Sequence, residues 1–432
     1  MKPISRAATL AGLISLIPTL AFAQNGTSAF LELWGESAKT ALGFFWKAGW
    51  AFILGYTISG MIQTFVPKRK LTRHMGESDV RSVSLATAFG AISSSCSFAA
   101  LAAARSLFLK GAHFVSTVAF MFASTNLVIE LGILIFIFLG WEFIVAEVIG
   151  GLLLIAISSV IIKFTYPKKW IEAAREKVEE ESAEEEDFDW RERIKSKKGW
   201  FMVGEKFVME WKMAWEDILI GFTVAGFVSV LVPATFWESI FLNDMQGQLP
   251  DFVIRLENAL VAPFVAAATF IGSMGNIPLA TVLNENGILF AGLMGFIYSD
   301  LMVPPLIDMN RKYYGIRVAL YIAAVMYASI VITALVLDYS FELLSVLPEG
   351  SRQVAEVTQF EIDYTFWFNI AFALLAALML YFNRKTKKLR EEEHGHDHDH
   401  EGESISVKRV IVYLFVAVVG LGGLLYGYFN LI

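Results

Sequence analysis

Runs of about 20 apolar residues recur along the chain, each long enough to cross a bilayer core of about 30 Å as a helix. Hydrophobic residues make up 56% of the 432 positions and charged residues 18%. A soluble domain is nearer half apolar and a quarter charged. The formal net charge of −7 is a weak guide to partners, because acids and bases are segregated along the sequence. The single cysteine, Cys96, excludes an internal disulfide and the zinc motifs that need several cysteines. A lipid bilayer and a small-molecule or ion substrate are the expected partners; nothing in the sequence points to nucleic acid, and the oligomeric state is unknown at this level.

Residues 1–23 read as a signal peptide or a first transmembrane helix. Lys2 and Arg6 form a basic start, an apolar stretch follows, and Ala21-Phe22-Ala23 precedes Gln24 as a small-residue cleavage site. Residues 24–170 form a first membrane repeat, with apolar stretches at 41–66, 82–109, 113–140 and 143–164. The basic groups Lys68, Arg69, Lys70 and Arg73, and then Lys163, Lys168 and Lys169, place the ends of the first and last stretches in the cytoplasm by the positive-inside rule. Residues 171–200 are an acidic cytoplasmic linker, including Glu179-Glu180-Glu181 and Glu184-Glu185-Glu186-Asp187, and read as a solvated face. Residues 201–345 form a second membrane repeat, 346–388 an extra helix, 389–406 a His-rich cytoplasmic loop and 407–432 a C-terminal helix.

The two repeats follow one order of events. A span precedes a broken apolar segment, then a polar break in a helix, then another span. The first break is Ser93-Ser94-Ser95-Cys96-Ser97; its counterpart is Gly272-Ser273-Met274-Gly275-Asn276-Ile277-Pro278. The pieces on each side of Cys96 are about 13 residues, or roughly 20 Å of helix, which suits a re-entrant hairpin better than two crossings. Bases return at Arg105 and Lys110 in the first repeat, whereas the equivalent turn of the second carries Asn284-Glu285-Asn286. Arg311-Lys312 then stands where the first repeat has Trp141-Glu142. Inverted base distribution is the mark of an inverted-topology repeat. The expected fold is therefore an all-α polytopic membrane protein of about eight spans, with two inverted-topology repeats and broken or re-entrant helices.

Non-helical backbone at membrane depth must be satisfied by protein or line a cavity. Paired interruptions in corresponding positions place helix N-termini and free carbonyls around a midplane substrate site. Packing of small residues is the alternative use of such segments. The substrate candidates at the breaks are Ser94, Ser95, Cys96, Ser97, Ser273, Gly275 and Asn276. A second pair of polar breaks contributes Ser124, Thr125 and Asn126 in one repeat and Ser299 and Asp300 in the other. Glu130 lies one turn after Asn126. Ionisable residues at depth are costly, so Asp300 and Glu130 are candidates for a coupling proton or a cation. His394, His396, His398 and His400 alternate with Gly395, Asp397 and Asp399, a pattern with affinity for zinc, nickel or copper. That loop reads as a buffer or sensor, and no other cofactor is expected. No G-x-x-x-x-G-K-[ST] sequence is present, which excludes a P-loop nucleotide site in this chain and points to secondary transport without enzymatic activity.

Ser94-Ser95-Cys96-Ser97-Phe98, Ala104-Arg105-Ser106-Leu107, Lys110-Gly111-Ala112 and Ser124-Thr125-Asn126-Leu127-Val128-Ile129-Glu130 resemble the bacterial and archaeal predicted-permease family that includes ArsP and YraQ. The second repeat is similar through Gly275-Asn276-Ile277-Pro278, Ser299-Asp300-Leu301 and Lys312-Tyr313-Tyr314-Gly315. The resemblance covers about residues 41–383 and implies an inner-membrane permease acting in efflux of a metal, metalloid or related small solute. The chain departs from the pattern at Cys96-Ser97-Phe98, where better-known members carry Cys-Ser-Cys-Gly, so a thiol pair is absent. A membrane metal sensor or assembly factor working through the His-rich loop is the rival function.

Overall fold

A computed structural model describes residues 4–65, 75–76, 78–93, 97–176, 190–269, 271–348, 352–394 and 407–431. Among these residues the chain is all helical, apart from one isolated bridge between Gln246 and Leu249. Among the described residues six helices are long and apolar enough to cross a membrane, or up to eight if each of two bent pairs is one span.

The first half opens with α1 (Ile4–Phe65), then α2 (Val80–Ser93) and α3 (Ser97–Leu109) on either side of the serine-rich break. A bent pair follows, α4 (Phe114–Asn126) and α5 (Ile129–Phe138), and the half closes on α6 (Trp141–Thr165). After α7 (Lys168–Glu176) and α8 (Trp190–Lys195), the second half opens with α9 (Lys197–Leu231) and the short α10 (Ala234–Ile240). Next come α11 (Asp251–Thr269) and α12 (Ser273–Glu285) around the second break. Then α13 (Phe290–Ile297) runs through a 3-10 turn (Tyr298–Met302) into α14 (Pro304–Tyr314), and α15 (Ile316–Leu343) closes the half. The short α16 (Val354–Val357) precedes α17 (Tyr364–His394) and α18 (Val407–Leu431). The bends of the two pairs are nearly equal, 41° in the first half and 42° in the second.

The two opening helices pack along each other. A Cβ on Gly226 of α9 would collide with Ala41 of α1, and a Cβ on Gly60 would press on the Val203 carbonyl. Residue 41 therefore lies beside 226 and residue 60 beside 203, so the helices run antiparallel, and glycine lets their backbones approach closely. The two closing helices are antiparallel as well. Thr165 and Tyr321 share a hydroxyl hydrogen bond of 2.7 Å at one end of the α6–α15 pair. At the other end Phe290 bridges Phe143 and Phe341 through ring contacts.

Each pair of helices around a break turns back on itself. The His113 amide donates to the Met75 carbonyl at 2.8 Å, so the ends of the α2–α3 segment meet. The Asn243 side chain donates to the Gly287 carbonyl at 2.8 Å and closes the α11–α12 segment in the same way. These closures lie at opposite ends of α6 and α15. His113 stacks on Tyr166, beside the Thr165 end, and Phe290 follows Gly287 at the Phe143 end.

The remaining helices attach to this frame. Trp34 of α1 donates to the Val418 carbonyl of α18 at 3.0 Å, and α17 lies on α9 where Gly204 meets the Met379 carbonyl. Residues 41–65 of the 41–66 stretch form the end of α1, and no break separates them from the described part of the N-terminal segment that reads as a signal. The second half begins earlier than its apolar run at Trp215: α9 starts at Lys197, where the Ser196 hydroxyl accepts from the Gly199 amide at 2.9 Å as an N-cap.

Candidate functional site

The first break and the second bend meet in the interior. Ser97, the first residue of α3, donates its hydroxyl to Asp300 Oδ2 at 3.3 Å. Ser97 is 4% exposed and Asp300 is fully buried. Asp300 occupies the 3-10 turn because Pro304 cannot continue the α-helical ladder through Val303. The Thr125 hydroxyl and the Leu301 amide also lie against its carboxyl group. Residues far apart in sequence thus converge on one carboxylate, from the first hairpin, the first bend and the second bend.

Thr125 and its neighbours belong to the last turn of α4. Ser124 and Thr125 donate their hydroxyls back to carbonyls of their own helix, and Asn126 Nδ2 donates to the Phe122 carbonyl at 3.2 Å. Asn126 Oδ1 is left buried without a hydrogen-bond partner. Ser299 likewise bonds back to the Gly295 carbonyl.

Sequence reasoning missed Glu147. This residue lies in the long apolar helix α6, is 2% exposed, and has no hydrogen-bond partner on either carboxyl oxygen. Asp300, whose Oδ1 is also unpartnered, is the charge that acts on it. Tyr298 holds the turn against α6 by donating to the Ala146 carbonyl at 2.8 Å. A Cβ on Gly150 would collide with the Tyr298 hydroxyl, and one on Gly151 would collide with Leu127. The signal was available: an acid inside the 143–164 run is costly at membrane depth, as Asp300 is.

The other candidates lie elsewhere. Glu130, in the first turn of α5, packs against Gly55 of α1. Asn276 closes the second break: its Oδ1 accepts from Thr269 at 3.1 Å and its Nδ2 donates to the Ile271 carbonyl at 3.3 Å. Gly275 packs against Gly221 of α9, Ser273 begins α12, and Met274 Sδ accepts from Tyr56 of α1 at 3.4 Å. Ser94, Ser95 and Cys96 lie outside the described residues. So do His396, His398 and His400, while His394 ends α17. Among the described residues no group of three or more His, Cys, Asp or Glu side chains could hold a metal ion.

A family model described as "Predicted permease" matches residues 33–339, which span α1 to α15 and so contain both halves. The chain belongs to the predicted-permease family. It is also 35% identical over 319 residues to a Mycobacterium tuberculosis protein named "Putative permease Rv2963", an alignment covering 71% of this chain and 77% of the relative. No solved structure matches. The Ser97–Asp300 joint and Glu147 lie inside the matched permease region, whereas α17 and α18 lie beyond it. The chain is thus a multi-pass membrane permease, with a bilayer and a small solute as its partners.

Proposed function

We propose that this permease is a secondary transporter of the bacterial or archaeal inner membrane. It exports a small solute such as a metal, metalloid or related ion, along a path that passes the Ser97–Asp300 joint. The observation that carries the reading is the 3.3 Å hydrogen bond between a helix start in one half and a buried carboxylate in the other. Helix starts present unsatisfied amides, and broken helices at depth are tolerated where they line a cavity. A joint between two halves is also where rocking of one against the other would open and close a path.

Inverted repetition of the halves fits this reading. It is supported by the antiparallel pairing of α1 with α9 and of α6 with α15, by hairpins that close at opposite ends, and by bends of 41° and 42°. The lone thiol directs attention to oxygen ligands at the joint rather than to a pair of sulfurs.

The test is solute accumulation in a deletion strain, across metals, arsenicals and organic anions. Complementation by the wild type should lower accumulation of one class, and Asp300→Asn should restore it at equal expression. Equal accumulation of every solute with and without the protein would overturn the reading.

A further inference from the structure

We propose that Glu147 and Asp300 form a single proton-binding pair, with Asn126 and Ser97 as its polar neighbours, and that its loading and release accompany solute movement. The proposal deepens the transporter reading and rests on it. Three groups from three elements leave buried oxygens without donors: Glu147 Oε1 and Oε2 on α6, Asp300 Oδ1 on the 3-10 turn, and Asn126 Oδ1 at the end of α4. The geometry brings these elements together. Asn126 Cβ lies 3.9 Å from where a Cβ on Gly151 would stand, one helical turn from Glu147. Tyr298, two residues before Asp300, bonds the carbonyl of Ala146, which adjoins Glu147.

Acceptors without donors are expensive in a dry interior, and two unpaired carboxylates more so. A proton on each acid turns it into a donor. Protonated Glu147 can then serve Asp300 or Asn126, and protonated Asp300 can do the same in return. Like charges held close cannot both ionise, so the pair titrates as a unit. Among the described residues no basic side chain is paired with either acid. Arg255 is committed to Asp338 at 2.6 Å and to Glu342 at 2.7 Å. Arg311 and Lys312 are held by Asp308 at 2.7 and 3.2 Å, and Arg105 lies over the Tyr313 ring. Titratable groups on the surrounding elements include Tyr298 on the turn, Glu130 on α5 toward α1, Glu257 on α11 and Asp338 on α15, with Glu142 and Lys163 near the two ends of α6.

The experiment uses full-length protein in liposomes without solute, in choline chloride. Infrared difference spectra between acid and alkaline pH report the protonated-carboxyl stretch. The wild type should lose such a band on alkalinisation. Glu147→Gln and Asp300→Asn should each remove part of it and shift the midpoint of what remains. Variants that leave the band and its midpoint unchanged would overturn the proposal. So would a band displaced at constant pH by sodium chloride, which would make this a sodium site. The wild-type titration stands even if one isosteric variant fails to fold. A second arm separates the two readings: Glu147→Gln should abolish solute accumulation driven by a pH gradient yet keep solute counterflow. Absent counterflow in the wild type would sink the transporter reading and leave the titration intact. Counterflow together with undiminished pH-driven accumulation in Glu147→Gln would sink the pair.

Discussion

Asp300 is held by the Ser97 hydroxyl on one carboxyl oxygen, and its other oxygen has no donor among the described residues. Asp300→Asn keeps the shape and removes the charge, so expression and detergent stability should change little while transport is lost. A variant that transports normally would remove Asp300 from the mechanism. Gly150 has a different task, since any Cβ there meets the Tyr298 hydroxyl. Gly150→Ala should cost roughly 1–3 kcal/mol through overpacking. Adding Tyr298→Phe should recover part of that loss, because the colliding oxygen is gone and the two positions couple. Thermal unfolding of the four proteins in one detergent checks this, and strictly additive losses would contradict the contact.

At the scale of elements, Asn276 shows what the sequence could and could not convey. The position of the second break was legible from its glycines and proline. That Asn276 closes the break with hydrogen bonds was not, because its partners Thr269 and Ile271 belong to the chain before the turn. On sequence grounds Asn276→Leu would block passage without unfolding. The structure adds that it leaves the Ile271 carbonyl without its side-chain donor, while Thr269 keeps the Ala266 carbonyl and the Ile271 amide, for a loss of roughly 1–3 kcal/mol. A lowered melting temperature is expected, and unchanged stability would show that the closure is dispensable. The meeting of Ser97 with Asp300 was equally hidden, since it joins residues 203 apart in sequence. Glu147 was visible as a lone acid in an apolar run, but its relation to Asp300 depends on how α6 packs. The His-rich segment supports a separate expectation. Replacing His394, His396, His398 and His400 by Ala should abolish zinc or nickel binding and preserve transport at saturating solute. Loss of all transport at normal expression would favour the metal-sensor function.

For the whole molecule, the apolar runs foretold an all-helical membrane protein with several candidate spans. Helix boundaries in charged regions were less legible: α9 extends well before the apolar run that marks it, because a membrane helix continues into water when a cap such as Ser196 starts it there. Sidedness follows from the bases. Single cysteines in a Cys96→Ser background should be protected from an impermeant reagent in intact cells at positions 190 and 396 and labelled at 245; labelling of 190 from outside would break the inverted arrangement. If solute passes the joint between the halves, a blocking group placed there stops it. In the same background, Ser97→Cys is expressed in the deletion strain and treated with a small permeant thiol reagent. Modification should raise solute accumulation to the level of cells lacking the protein, and solute should slow the modification. Complete modification with efflux unchanged would contradict passage through the joint.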